Sequence, residues 1–157
     1  MCEYCGCQAL ETIDELAQEH EPVVTLISRV RDARRDGAIA RMAELAREIT
    51  SVLGPHTQVE EHGLFPPMAA EFPEQIAALE AEHRRIESVL GEADGPFLTD
   101  PGWPVRLIEA LDLLREHILK EQDGVFPAAL ATLDPDDWEV VEKARAEAGS
   151  GLPRPGA

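Results

Sequence analysis

His56-Thr57-Gln58-Val59-Glu60-Glu61-His62-Gly63-Leu64-Phe65-Pro66 aligns without a gap onto His117-Ile118-Leu119-Lys120-Glu121-Gln122-Asp123-Gly124-Val125-Phe126-Pro127, 61 residues further on. Both stretches read His-x3-Glu-x2-Gly-(Leu/Val)-Phe-Pro. A second pair repeats as well, Glu19-His20 against Glu82-His83, 63 residues apart. The chain therefore reads as two copies of a helix pair, each giving one His from its first helix and a His-x3-Glu from its second. Residues i and i+4 of a helix lie on one face a turn apart. His56 and Glu60 can thus reach a common point, and so can His117 and Glu121.

Outward from the repeat, apolar residues recur at spacings of three and four, the signature of amphipathic helices. Ile13, Leu16, Val23, Ile27 and Val30 share a stripe with His20; Met42, Leu45, Ile49 and Val52 share one with His56. Ile76, Leu79, Ile86 and Leu90 continue the pattern around His83, and Leu107, Ala110 and Leu114 around His117. Four such helices predict an all-α fold, an up-down-up-down four-helix bundle. Asp134-Pro135-Asp136-Asp137 places an N-cap, a proline at N1 and acids in the first turn, and so predicts a short C-terminal helix through about Ala148. Residues 32–37, 65–73 and 91–104 hold the Gly, Pro and Asp of connections. Pro22 and Pro55 each remove an i→i−4 bond, which predicts a kink or a helix boundary beside His20 and His56. The expected organisation is a Cys-rich segment over 1–10, the bundle over 11–148 and a flexible tail over 149–157.

The chain has 157 residues, enough for one sizeable core, with 14 Lys+Arg against 31 Asp+Glu and a net charge of −17. That excess argues against nucleic acid or an anionic membrane as a partner, because phosphate-rich surfaces recruit Lys and Arg. No apolar run approaches the ~18 residues of a membrane span, and the N-terminus lacks a basic start followed by an apolar stretch. A cytoplasmic location is expected. Cys2, Cys5 and Cys7, odd in number and crowded together, make a poor disulfide framework and fit a reducing compartment.

The inward stripes bring chemistry with them. His20, His56, His83 and His117 should project into the bundle interior, where Glu60 and Glu121 also point. A buried carboxylate without a counter-charge is costly, and two divalent metal ions would both neutralise the pair and use the imidazoles as ligands. A single His on an apolar helix face is most often a core or rim residue; four of them, two with Glu at i+4, form a joint pattern that this does not explain. Glu61 and Asp123 turn away by about a quarter of the circumference and read as solvated or outer carboxylates. His62 falls at the bundle end, with a fifth nitrogen ligand as the other reading. Phe65-Pro66 and Phe126-Pro127 read as structural, closing the bundle and stopping the helices. Imidazole with bridging carboxylate suits Fe, with Mn as the lesser option, whereas structural Zn usually recruits thiolates. Cys2, Cys5 and Cys7 would suit a soft metal or a redox relay to the site, against a solvent-exposed tail without a role.

The order His, His-x3-Glu, His, His-x3-Glu over four helices resembles the hemerythrin-like (HHE cation-binding) family from about Ile13 to Leu133. The resemblance implies His20, His56, His83 and His117 as terminal ligands of two iron ions, bridged by Glu60 and Glu121 and by an oxo or hydroxo group. It implies a small oxygen species (O2, peroxide or NO) as the partner, for sensing, detoxification or oxidative chemistry. Turnover of the peroxidase, catalase or oxidase kind would add an electron-donor protein; iron storage or iron sensing without turnover is the alternative. Oxygen-carrying members have a second His where this chain has Leu79, and an Asp where it has Gln122. The four-His, two-Glu members are therefore the nearer match. A ferritin-like site would need Glu-x-x-His on two helices, and only Glu80-x-x-His83 fits, since Ala17 precedes His20.

Overall fold

The apolar stripes fold as the helices they predict. In the computed structural model of the chain, which describes residues 6–152, α1 (Cys7–Arg35) buries Ile13, Leu16, Val23, Ile27 and Val30 together with His20. α2 (Ile39–Val59) buries Met42, Leu45, Ile49 and Val52 with His56. A π turn (Glu60–Leu64) joins it to the short α3 (Phe65–Ala69). α4 (Pro73–Gly91) and α5 (Trp103–Lys120) bury His83 and His117 among their own apolar residues. A second π turn (Glu121–Val125) leads into α6 (Phe126–Thr132), and α7 (Pro135–Ala148) closes the chain. α1 packs on α2 and α5, and α4 on α5 and α2, so the four long helices form the expected bundle.

Two apolar clusters occupy its two ends. One holds Val23, Ile27, Met42, Ile49, Ile86, Trp103, Leu107 and Leu111; the other holds Ile13, Leu16, Leu64, Phe65, Leu79, Phe126 and Trp138. On α1, α2 and α4 the histidine falls between the two clusters in sequence, and His117 lies near the end of α5, ahead of Phe126 of the second cluster, so the polar residues are sealed from both ends.

Residues 65–73 were expected to be a connection, and the structure corrects this. Helix resumes at Phe65 and runs to Ala69 after one widened turn. The second repeat does the same at Phe126. The following proline accounts for it: Pro66 and Pro127 have no N–H, and each ring crowds the carbonyl four residues back in a regular helix. The widened turn avoids that clash, and the N–H groups of Phe65 and Phe126 donate five residues back, to the carbonyls of Glu60 and Glu121. Pro22 and Pro55, where a kink or boundary was expected, lie inside α1 and α2, and neither ends its helix.

The predicted capping of α7 is present: Asp134 accepts from the Asp137 N–H at 2.9 Å while Asp137 Oδ2 accepts from the Asp134 N–H at 3.0 Å. α7 lays Trp138, Val141 and Ala144 onto α2 and the first π turn. Gly63 is the point of closest approach, because a Cβ there would sit 2.8 Å from the Val141 Cα and 3.1 Å from the Ala144 Cβ. A Cβ at its repeat counterpart, Gly124, would meet nothing within 4 Å. Gly63→Ala should therefore cost about 1–3 kcal/mol in chemical denaturation, and Gly124→Ala less than about 1 kcal/mol. Equal losses would show that α7 is not seated this closely.

The stretch expected to be a flexible tail begins with contacts. Ser150 Oγ donates to Glu19 Oε2 at 3.1 Å and Leu152 packs against the core. A Cβ on Gly151 would run into the Ser51 carbonyl, the one that Pro55 leaves without its helical donor. Among the described residues, no helix is long and apolar enough to cross a membrane. Cys7 opens α1, half-buried; Cys2 and Cys5 lie outside the described residues.

Candidate metal centre

The periodic stripes bring the six inward polar residues together at mid-height. His20, His56, His83 and His117 are each buried to 5% exposure or less, and Glu60 and Glu121 to 0%. They form two overlapping groups, His20/His56/Glu60/Glu121 and His83/His117/Glu60/Glu121, with the ligand-capable atoms of each within 4.8 Å of one another. Both glutamates belong to both groups. Each reaches across the repeat: Glu60 Oε1 lies 3.2 Å from His83 Nε2, and Glu121 Oε1 lies 3.0 Å from His20 Nε2. Within its own helix, Glu60 Oε2 is 3.2 Å from His56 Nε2 and Glu121 Oε2 is 3.3 Å from His117 Nε2.

An outer ring of acceptors orients the imidazoles. His56 Nδ1 donates to Glu19 Oε1 at 3.1 Å and His117 Nδ1 to Glu82 Oε1 at 2.8 Å. His83 Nδ1 donates to Glu61 Oε2 at 2.5 Å and His20 Nδ1 faces Gln122 Oε1 at 3.3 Å. These partners follow the repeat, Glu19 with Glu82 and Glu61 with Gln122. Four Nδ1 protons directed at acceptors leave four Nε2 lone pairs pointing inward, the tautomer that a metal ligand needs. Phe65 stacks on His83 and Phe126 on His20, both with ring centroids 5.7 Å apart and planes at 11°.

Each outer carboxylate has its own cation. Arg145 of α7 donates to Glu19 at 2.7 and 2.9 Å, Lys120 to Glu82 at 2.6 Å, and Arg84 pairs with Glu61. Among the described residues, Glu60 and Glu121 pair with histidines and with no Lys or Arg. Burial pushes the Glu19 carboxyl up, but His56 and Arg145 outweigh it and hold it down at about 2. Burial likewise disfavours charge on His117, yet Glu121, Glu60 and Glu82 raise it to about 9. His56 is raised well above its ordinary value because Glu60, Glu121 and Glu19 overcome its burial. The pocket is built to hold positive charge.

Whether a metal fits can be judged from the atoms left over. Among the described residues, His56 Nε2, both oxygens of Glu60 and Glu121 Oε2 are buried without a hydrogen-bond partner. Unsatisfied buried groups of this kind cost about 1–3 kcal/mol each, more when charged. His83 Nε2 and His117 Nε2 lie 3.0 Å apart, close enough to share one cation. Cations shared by these atoms would satisfy all of them at once, so the residues fit a metal.

The remaining expectations separate cleanly. Glu61 is the outer partner of His83, whereas Asp123 and His62 are exposed and belong to neither group. Glu80, the ferritin-like alternative, is outside both groups as well. Sequence reasoning gave no role to Glu19, Glu82, Gln122 or Arg145. The repeated Glu-His dipeptide was the signal for the first two, since each Glu sits beside one histidine and serves the next helix's. Nothing in the sequence ties Arg145 to Glu19, 126 residues away.

The model of the Hemerythrin HHE cation binding domain matches residues 11–129 of the chain, well over half of it. No curated protein and no solved structure matches it. The match spans α1 through most of α6, with both histidine–glutamate groups inside it, and the chain belongs to the hemerythrin HHE cation-binding family.

Proposed function

We propose that the chain holds two iron ions, one with His20 and His56 and one with His83 and His117, both sharing Glu60 and Glu121, and that it binds or reacts with a small oxygen species there. The observation that carries the reading is the pair of overlapping donor groups with unsatisfied carboxylate oxygens common to both. Iron supplies the Lewis-acid and redox chemistry when bound. The protein's part is to fix four Nε2 atoms inward, to keep two anionic carboxylates in a dry interior and to limit what enters.

Size supports a ligand of very few atoms. The space enclosed by the four histidines with Leu53, Ile86, Leu114 and Ile118 is about 10 Å³, which is about the room for one water centre. Leu53 and Glu87 line this space and also an outer groove between α2 and α4, so this pair stands between the interior and solvent.

Reconstitution with ferrous iron, followed by metal analysis and an optical spectrum, tests the proposal. About two irons per chain with charge-transfer bands is the expected result; fewer than about one per chain would overturn it. Peroxide consumption by the loaded protein then separates turnover from storage or sensing. The affinity should fall as pH is lowered from 9, because a proton on His117, whose pKa is raised to about 9, occupies the nitrogen that iron requires. An affinity independent of pH between 6 and 9 would remove His117 from the ligand set.

A further inference from the structure

The internal repeat provides a comparison within one molecule. α7 covers α1, α2 and the first π turn, and Ile13, Leu16, Val59 and Leu64 share an apolar cluster with its Trp138 and Val141. The counterparts of those residues in the second repeat are Ile76, Leu79, Lys120 and Val125. α7 has no counterpart on that side among the described helices: Ile76 and Leu79 belong to the same apolar cluster and are buried to 4% exposure, with α3 packed on their helix α4, but no helix follows to cover the surface they form with Lys120 and Val125. The four line an apolar groove of about 440 Å³ completed by Met68, Phe72 and Ala128. Gly124, where the covered half has Gly63 pressed against Val141, has nothing near its missing Cβ.

We propose that this groove is the docking site for an amphipathic helix of a partner protein, seated as α7 is seated on the other repeat. The covered half shows what fills such a surface: a helix whose i, i+3, i+6 stripe is Trp138, Val141 and Ala144. Charge selects the kind of helix. Glu71, Glu74 and Asp123 are exposed beside the lining residues, and the whole chain carries −17. Lys120, which lines the groove, is already paired with Glu82. The partner helix is therefore basic on its flanks. Docking would bear on the centre by a short route, because Glu82 accepts from both Lys120 and His117. The groove itself does not depend on any metal.

The probe is a synthetic peptide of residues 134–149 carrying Glu139→Lys, Glu142→Lys and Glu147→Lys, titrated into the full-length protein with methyl NMR as the readout. Saturable shifts at Ile76, Leu79 and Val125 are expected. Ala78→Arg, at an exposed groove position, should leave the circular dichroism unchanged and weaken binding about tenfold or more. Absence of saturation at about 1 mM, or shifts confined to α2 and the first π turn, would overturn the proposal. A dimer in solution that Ala78→Arg converts to monomer would also overturn it, by giving the groove to a second copy.

Discussion

His83→Ala should reconstitute with fewer than about one tightly held iron per chain, while His62→Ala keeps about two and an unchanged spectrum. The sequence already sets the two histidines apart, His83 on an apolar stripe as the repeat partner of His20 and His62 aligned with Asp123 two residues beyond Glu60. Their surroundings differ completely. His83 is 5% exposed, with Nε2 3.0 Å from His117 Nε2 and 3.2 Å from Glu60 Oε1, its Nδ1 bonded to Glu61 and its ring stacked on Phe65. His62 is exposed and outside both donor groups. Disturbing the outer partners of a ligand already costs about 10–100-fold in affinity, and losing the ligand itself should exceed that. Metal analysis after gel filtration decides it, and loss of iron from both variants would defeat the ligand assignment.

Arg145→Ala is expected to cost about 3 kcal/mol, roughly 6–12 °C in Tm for a domain of this size. Glu19 is 2% exposed and shares its charge between His56 and the guanidinium of Arg145; without Arg145 the carboxylate stays buried with its bonds to His56 and Ser150. The sign with pH follows from the Glu19 pKa, lowered from 4.5 to about 2. Its contribution, about 3 kcal/mol by linkage, is fully present above pH 4.5 and is lost as pH falls through 2. Arg145→Ala should lose part of this acid-side dependence, and Arg145→Lys should restore some of the stability. A Tm within about 1 °C of the parent would show that α7 plays no part in holding the site.

The bundle was legible because its determinants are local: stripes at helical spacing fix which face turns inward, and the His-x3-Glu repeat lies on those stripes. His20 and His83 come from the same reasoning, since each occupies an apolar position one helix away. The widened turns were not legible. Gly-x-Phe-Pro reads as a stop by proline rules alone; in the structure the helix continues, and Phe65 stacks on His83 and Phe126 on His20, contacts between the two repeats that no local rule anticipates. The outer ring was hidden for a different reason. Glu19 and Glu82 are ordinary acids in a chain with 31 of them, and their function lies in bonds to histidines on the following helix. Arg145 shows the limit most plainly, since the N-cap and N1 proline that predict α7 say nothing about which surface it will cover.

The cross-repeat pairing of the centre has a consequence for folding. Glu60 of the first half meets His83 of the second, Glu121 of the second meets His20 of the first, and each phenylalanine stacks on the opposite half's imidazole. Neither half-chain can assemble a complete donor group from its own residues. Ions shared by Glu60 and Glu121 would tie the halves together as a rivet ties two plates. Loading should therefore merge any stepwise unfolding of the two helix pairs into a single transition.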